Sequence, residues 1–190
     1  MKKIAILASG SGSLAEAIFQ AVEKRELQCS IEALICDRVD AQVIKRAEEY
    51  AIPVHLHPMT DDRQRWNAEL LTYLQSLNLD LVVSAGFMRI LDYSVTSSLP
   101  IINSHPALLP LFPGAHAVRD ALAAGARKTG TTIHWVDAGV DTGEIIAQAE
   151  LDIAPDDNEE TLHERIRILE RSLIVATIDQ VLSTMTNGRP

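Results

Sequence analysis

Two cysteines are all that the 190 residues contain. Cys29 and Cys36 have no cluster of metal-ligand residues around them, so the sequence offers neither a disulfide framework nor a thiolate metal centre. Buried free thiols, consistent with a reducing cytoplasm, are the expectation. Long apolar runs are missing too, and no segment approaches the roughly 20 residues that span a bilayer. The opening MKKIAILASGSGS has the basic end of a signal peptide. Its apolar stretch is only Ile4 to Ala8, below the roughly 7–15 residues of a signal core, and reads as a first buried strand. Basic charge is in short supply. Seventeen Lys and Arg stand against 26 Asp and Glu, a formal net charge of −9, which argues against bulk binding to nucleic acid or an anionic membrane and leaves room for a local phosphate pocket. There is no internal repeat, no low-complexity linker and no break in composition. With 47% apolar and 23% charged residues, the chain reads as one domain, 1–190, with a sizeable core.

What is present is an alternation of apolar runs with helical stretches. KIAILAS, IEALICD, IPVHLH, LDLVVSAG and PIINSH read as five strands. Between them, residues 13–24, 41–50 and 63–77 read as helices, the last with Trp66, Leu70, Leu71 and Leu74 as its apolar stripe. Near-continuous apolar strands separated by helices imply a parallel sheet covered on both faces. The pattern then changes: TGTTIHWVD and GEIIAQAELDI suggest an antiparallel hairpin, and a last helix spans about 159–182. The expected class is α/β, a Rossmann-like, mostly parallel sheet with a C-terminal antiparallel hairpin and a final helix. The terminal TNGRP is expected to fray.

Four stretches could carry chemistry. In ASGSGSLAEAI, residues 8–18, Gly10 and Gly12 permit a tight turn into a helix N-terminus, a combination suited to a phosphate. Gly10, Gly12 and Ala15 also satisfy G-x-G-x-x-A, and Asp37 ends strand two, where a ribose-binding acid could sit. A plain tight turn with Ser13 as helix N-cap fits the same residues. In INSHPALLPLFPG, residues 102–114, Asn103 and His105 flank Ser104, so on extended chain they share a side. They fall at a strand's carboxyl end, where ligands of open α/β sheets bind. Asn can donate two hydrogen bonds to an oxyanion and His a proton or a charged hydrogen bond. Pro106, Pro110 and Pro113 would stiffen the segment beyond the strand, with trans the default at Phe112–Pro113. A histidine that merely caps a strand is as good an account. In VDAGVDTGEII, residues 136–146, Asp141 could orient and charge a histidine, or belong to an ordinary polar hairpin loop. In SAGFMRIL, residues 84–91, Phe87, Met88, Ile90 and Leu91 could wall a pocket for a flat ring or simply fill the core. Arg89 in that octet needs a partner if buried. Arg63, His116 and Glu170 are unremarkable as residues.

In this order, SGSGS, DLVVSAGFMRIL, the Asn-x-His-Pro-x-Leu-Leu-Pro segment, VDAGVDTG and DDNEETLHERI resemble the folate-dependent phosphoribosylglycinamide formyltransferase family through nearly the whole chain. The resemblance implies a phosphate-binding half, 1–100, and a catalytic and folate-binding half, 101–190. Asn103, His105 and Asp141 would form the catalytic trio, and Ser11, Gly12, Ser13 and Leu14 would hold the substrate phosphate. Glu170 would meet the sugar nucleotide. Arg63, the run Phe87, Met88, Arg89, Ile90 and Leu91, and the loop Ala138, Gly139 and Val140 would bind folate. It further implies 10-formyltetrahydrofolate as co-substrate, glycinamide ribonucleotide as acceptor, no metal, no nucleic-acid or membrane partner, and a monomer or homodimer. Two departures stand out. The first loop reads Gly10, Ser11, Gly12, Ser13, Leu14 where the family often has Gly-Asn-Gly-Ser-Asn, and Ser104 replaces a commoner apolar residue. Related folate enzymes offer alternatives: a formylfolate hydrolase usually carries an extra N-terminal domain, and a methionyl-tRNA formyltransferase a C-terminal RNA-binding one. The chain is expected to have neither. From a different class, a nucleotide-binding regulatory module would leave Asn103 and His105 idle.

Overall fold

The computed structural model describes residues 1–185, so the expectation about the TNGRP tail lies outside the described residues. Seven strands form one sheet: β1 (Lys2–Ala8), β2 (Cys29–Cys36), β3 (Val54–Leu56), β4 (Leu81–Ser84), β5 (Ile101–His105), β6 (Lys128–Trp135) and β7 (Ile145–Asp152). The helices are α1 (Ser13–Glu23), α2 (Gln42–Glu49), α3 (Arg63–Ser76), α4 (Tyr93–Thr96), α5 (Ala117–Ala123) and α6 (Glu159–Thr184). Strand order is β3-β2-β1-β4-β5-β6-β7. The pairs from β3 through β5 are parallel, whereas β5–β6 and β6–β7 are antiparallel. The α/β class, the parallel half, the C-terminal hairpin and the final helix all match the sequence expectation.

The central place of β1 is explained by its residues. Its side chains alternate between faces, and both sets are apolar. Ile4, Ile6 and Ala8 join a core built with α1 (Leu14, Ile18, Phe19), α2 (Val43, Ala47) and α6 (Ile174, Ile178). Ala5 and Leu7 join a second core with Trp66, Leu70 and Leu74 of α3. A strand buried on both faces is what a parallel sheet between helix layers requires. The same alternation divides β5: Ile102 belongs to the first core and Ile101 to the second, so Ser104 shares the side of Ile102 while Asn103 and His105 share that of Ile101. From β1 the chain first adds β2 and β3 on one side, then returns to β4 on the other. That reversal opens a crevice at the carboxyl ends of the strands.

Two local details differ from expectation. On α3, Leu71 is only partly buried and Asn67 is buried instead; its Oδ1 accepts from the Asp92 amide at 3.0 Å and ties α3 to the loop before α4. Two short helices, α4 and α5, go unannounced because they lie among Gly and Pro punctuation with too few turns to show a period. Phe112–Pro113 is trans, the default, while among the described residues the cis proline bond is Leu109–Pro110. Cys29 and Cys36 are buried free thiols, as expected, and burial, aided by the nearby Asp179 carboxylate, pushes the Cys29 thiol up to about 11.

Candidate active site

Asn103 and His105 stand at the end of β5, where its neighbour β6 runs antiparallel and sets Asn103 opposite His134. The loop between β6 and β7 folds back over them. It brings Asp141 Oδ2 to 3.3 Å from His105 Nδ1 and Asp141 Oδ1 to 3.5 Å from His134 Nε2. The same carboxylate accepts from the Gly114 amide at 2.8 Å, so the Pro-rich segment and the hairpin loop are fastened together through one side chain. The meeting of Asp141 with His105, which the sequence leaves open, is a feature of the structure.

Protons can be placed from the acceptors. His134 Nδ1 lies 2.8 Å from the Trp135 carbonyl and must donate there, and in the tautomer with that proton on Nδ1 its Nε2 accepts from Asn103 Nδ2 at 3.2 Å. Asn103 thus keeps its second N–H free. His105 Nε2 lies 2.8 Å from the Phe112 carbonyl and donates to it, which leaves Nδ1 as the nitrogen that gains or loses a proton beside Asp141. The ring is only 4% exposed. Burial holds its pKa below the ordinary histidine value, although Asp141 pulls the other way. In the resting protein His105 is therefore neutral at pH 7, not the standing imidazolium that a paired carboxylate alone suggests. For Asp141, burial raises the pKa, but His134, the Gly114 amide and His105 together outweigh it and hold the carboxyl below its usual range. Among the described residues no group of three His, Cys, Asp or Glu side chains is arranged to hold a metal.

At the other end of the crevice, Gly12 has φ +77° and is itself the N-cap of α1, so Ser13 opens the helix rather than capping it. A Cβ on Gly12 would fall 2.4 Å from Val43 Cγ2. Ser11 is exposed and Ser13 half-buried, but the Leu14 side chain faces the core. Leu14 can offer a ligand only its amide.

The remaining candidate residues separate by direction. Phe87 and Leu91 are 8% exposed and belong to the second core; Met88 and Ile90, at 64% and 55%, face outward. Val140 is exposed as well, as are Ala138 and Gly139 beside it in sequence. Arg63, at the start of α3, donates to the Ile90 carbonyl at 2.8 Å and so borders the same loop. Arg89 finds its partner in Asp37, Nε to Oδ2 at 2.6 Å. That pair occupies the acid that a dinucleotide-binding reading would reserve for a ribose, and it leaves Asp37 Oδ1 buried without a hydrogen-bond partner. His116, the residue before α5, is exposed.

Glu170, on α6, is buried beneath β5 and accepts from Ser104 Oγ at 2.8 Å. Burial raises its carboxyl pKa, only partly offset by Ser104 and by Arg167 and Arg171. A carboxyl with a folded pKa above its unfolded value weakens the fold as pH rises from about 4.5 through the folded pKa. Glu170→Gln, which can still accept from Ser104, should be the more stable protein at pH 7, with its advantage shrinking toward pH 4. Paired thermal melts across that range check the sign; a variant less stable at pH 7 would refute it.

His134 is the residue that sequence reasoning passed over. Inside TGTTIHWVD it looks like a half-buried strand position, and only the antiparallel register sets it opposite Asn103. The formyl transferase family matches residues 2–178. Phosphoribosylglycinamide formyltransferase of Mycobacterium tuberculosis (strain H37Rv) is 42% identical over 180 residues, 93% of this chain and 83% of that protein. Its namesake from Bacillus subtilis (strain 168) is 38% identical over 192 residues, 99% of this chain and 98% of the other. The crystal structure of phosphoribosylglycinamide formyltransferase from Bacillus halodurans superposes with a TM-score of 0.93 at 39% identity, covering 98% of each chain. The chain therefore belongs to the formyl transferase family and, within it, groups with the phosphoribosylglycinamide formyltransferases.

Proposed function

We propose that this enzyme transfers the formyl group of 10-formyltetrahydrofolate to the amine of glycinamide ribonucleotide, a step of purine biosynthesis, with Asn103, His105 and Asp141 as its catalytic residues. The observation that carries the assignment of roles is the Asn103–His134–Asp141–His105 cluster at the end of β5, next to β4, whose following loop carries the outward-facing Met88 and Ile90. The amine attacks the formyl carbon, and the carbonyl oxygen becomes an anion. Asn103 donates its free N–H to that oxygen, the other being held by His134. The amine sheds one proton and the leaving folate nitrogen gains one. His105 Nδ1, unprotonated at rest, takes up the shed proton, and the ionised Asp141 beside it stabilises the imidazolium while negative charge is present on the intermediate. As the carbon–nitrogen bond to folate breaks, the proton passes to the leaving nitrogen, through water where the distance requires, and the imidazole is neutral again.

Ribonucleotide phosphate binds at the amides of Ser11, Gly12, Ser13 and Leu14, where the α1 dipole favours an anion. Glu170 reads the sugar. The pteridine lies against the 87–91 and 138–141 loops, with Arg63 and Arg89 on the side of the folate tail. A spectrophotometric assay with 10-formyltetrahydrofolate, run with and without glycinamide ribonucleotide, tests the reaction. Deformylation that depends on the ribonucleotide is the expected result. Equal loss without it would make the enzyme a hydrolase, and no loss in either case would overturn the reading.

A further inference from the structure

The glycine loop is held from behind by α2. Val43 N donates to the Gly10 carbonyl at 3.2 Å, and one residue on, Arg46 Nε donates to the Ser11 carbonyl at 2.9 Å. In a trans peptide the carbonyl and the next residue's N–H point in opposite directions. Two successive carbonyls tied back to α2 therefore turn the amides of Ser11 and Gly12 outward, and neither amide donates to another backbone group among the described residues. The next carbonyl, of Gly12, accepts from Glu16 N at 2.8 Å and starts α1. Glu16 closes the arrangement from its side: its carboxylate pairs with Arg46 Nη1, so the guanidinium is held in one orientation by a loop carbonyl and a first-turn acid of α1. The Arg46 side chain is 32% exposed, and its charge is largely answered by Glu16.

We propose that Arg46 is a positioning residue for the acceptor's phosphate: it fixes the Ser11–Gly12 peptide plane so that the loop amides converge on the anion, without itself being the anion's partner. The inference rests on the phosphate reading of this loop given above. Lysine in its place would keep the charge but not the fork that reaches the carbonyl and the carboxylate together. With Leu14 offering no side-chain donor, the alignment of the backbone amides decides the affinity of the loop.

The experiment is steady-state kinetics on Arg46→Ala and Arg46→Lys, varying glycinamide ribonucleotide and 10-formyltetrahydrofolate in turn. It includes the dephosphorylated acceptor nucleoside as a third substrate and a thermal melt of each variant. We expect the ribonucleotide KM to rise about tenfold in both variants, as for loss of a charge-assisted hydrogen bond. The folate KM and kcat should stay near wild type, and KM for the nucleoside should not change. A lysine variant indistinguishable from wild type would show that charge alone matters and overturn the proposal. So would an alanine variant with unchanged ribonucleotide KM, or one whose two KM values rise in parallel with a lowered melting temperature. If the wild-type enzyme uses the nucleoside as well as the ribonucleotide, the phosphate reading itself fails, and Arg46 with it. That outcome is recognised in the wild-type data before any variant is compared. Should Arg46→Ala not fold, Arg46→Lys carries the test.

Discussion

Asp141→Asn is expected to lower kcat by about 10²–10³-fold, the range for loss of one preorganised charge or donor at a developing oxyanion, with the KM for each substrate close to wild type. The side chain keeps its shape and can still accept from the Gly114 amide, so the loop should stay in place. What disappears is the negative charge 3.3 Å from His105 Nδ1. Burial already depresses the pKa of that imidazole, and Asp141 is the first influence opposing it. Removing the carboxylate makes the imidazolium harder to form at the moment the intermediate needs it. The same argument gives a second readout: the His105 titration, followed by NMR in the unliganded protein, should move further down in the variant. Near-normal turnover, or an upward shift of that titration, would remove Asp141 from the mechanism.

Gly12→Ala should cost about 3 kcal/mol of stability, combining the αL penalty of a non-glycine residue with a steric overlap that must be relieved by moving backbone. For a chain of this size that corresponds to a fall in melting temperature of about 6–12 °C. Flexible side-chain movement offers no escape, because the new Cβ would also lie 2.5 Å from Val43 Cβ and 2.8 Å from Val43 Cα. Differential scanning calorimetry measures the loss, and Gly10→Ala is the control, since a Cβ there meets nothing within 4 Å. Equal destabilisation by the two substitutions would mean that the packing of α2 on the loop does not set the demand for glycine.

The parallel half of the sheet is legible in the sequence because its strands are buried on both faces and leave uninterrupted apolar runs. Asn103 and His105 are legible as a pair for a local reason, the two-residue period of extended chain. Asp141 and His134 depend on something no local pattern encodes: the return of β6 antiparallel to β5 and the folding back of the loop after it. Phe87 and Leu91 show the limit from the other side. Their apolar character is equally suited to a pocket wall and to a core, and the backbone direction sends them inward while Met88 and Ile90 point out. Asp37 looks like a candidate ribose ligand until Arg89, distant in sequence, is found against it. Arg46 gives no signal at all, since an arginine on an amphipathic helix reads as an ordinary solvated residue.

The interleaving along β5 makes this strand intolerant of length change in a way the rest of the molecule is not. Asn103 and His105 face the Asp141 side, while Ser104, between them, faces Glu170. Inserting or deleting a single residue ahead of Asn103 would exchange the two sides, delivering the serine to the reaction and turning the asparagine and histidine toward the helix layer of α1 and α6. No point substitution nearby could restore the order. Substitutions within β5 leave this order intact, but the spacing from the core of the strand to its last residue is fixed, and changes of length are tolerated instead in the loops that the strands leave behind.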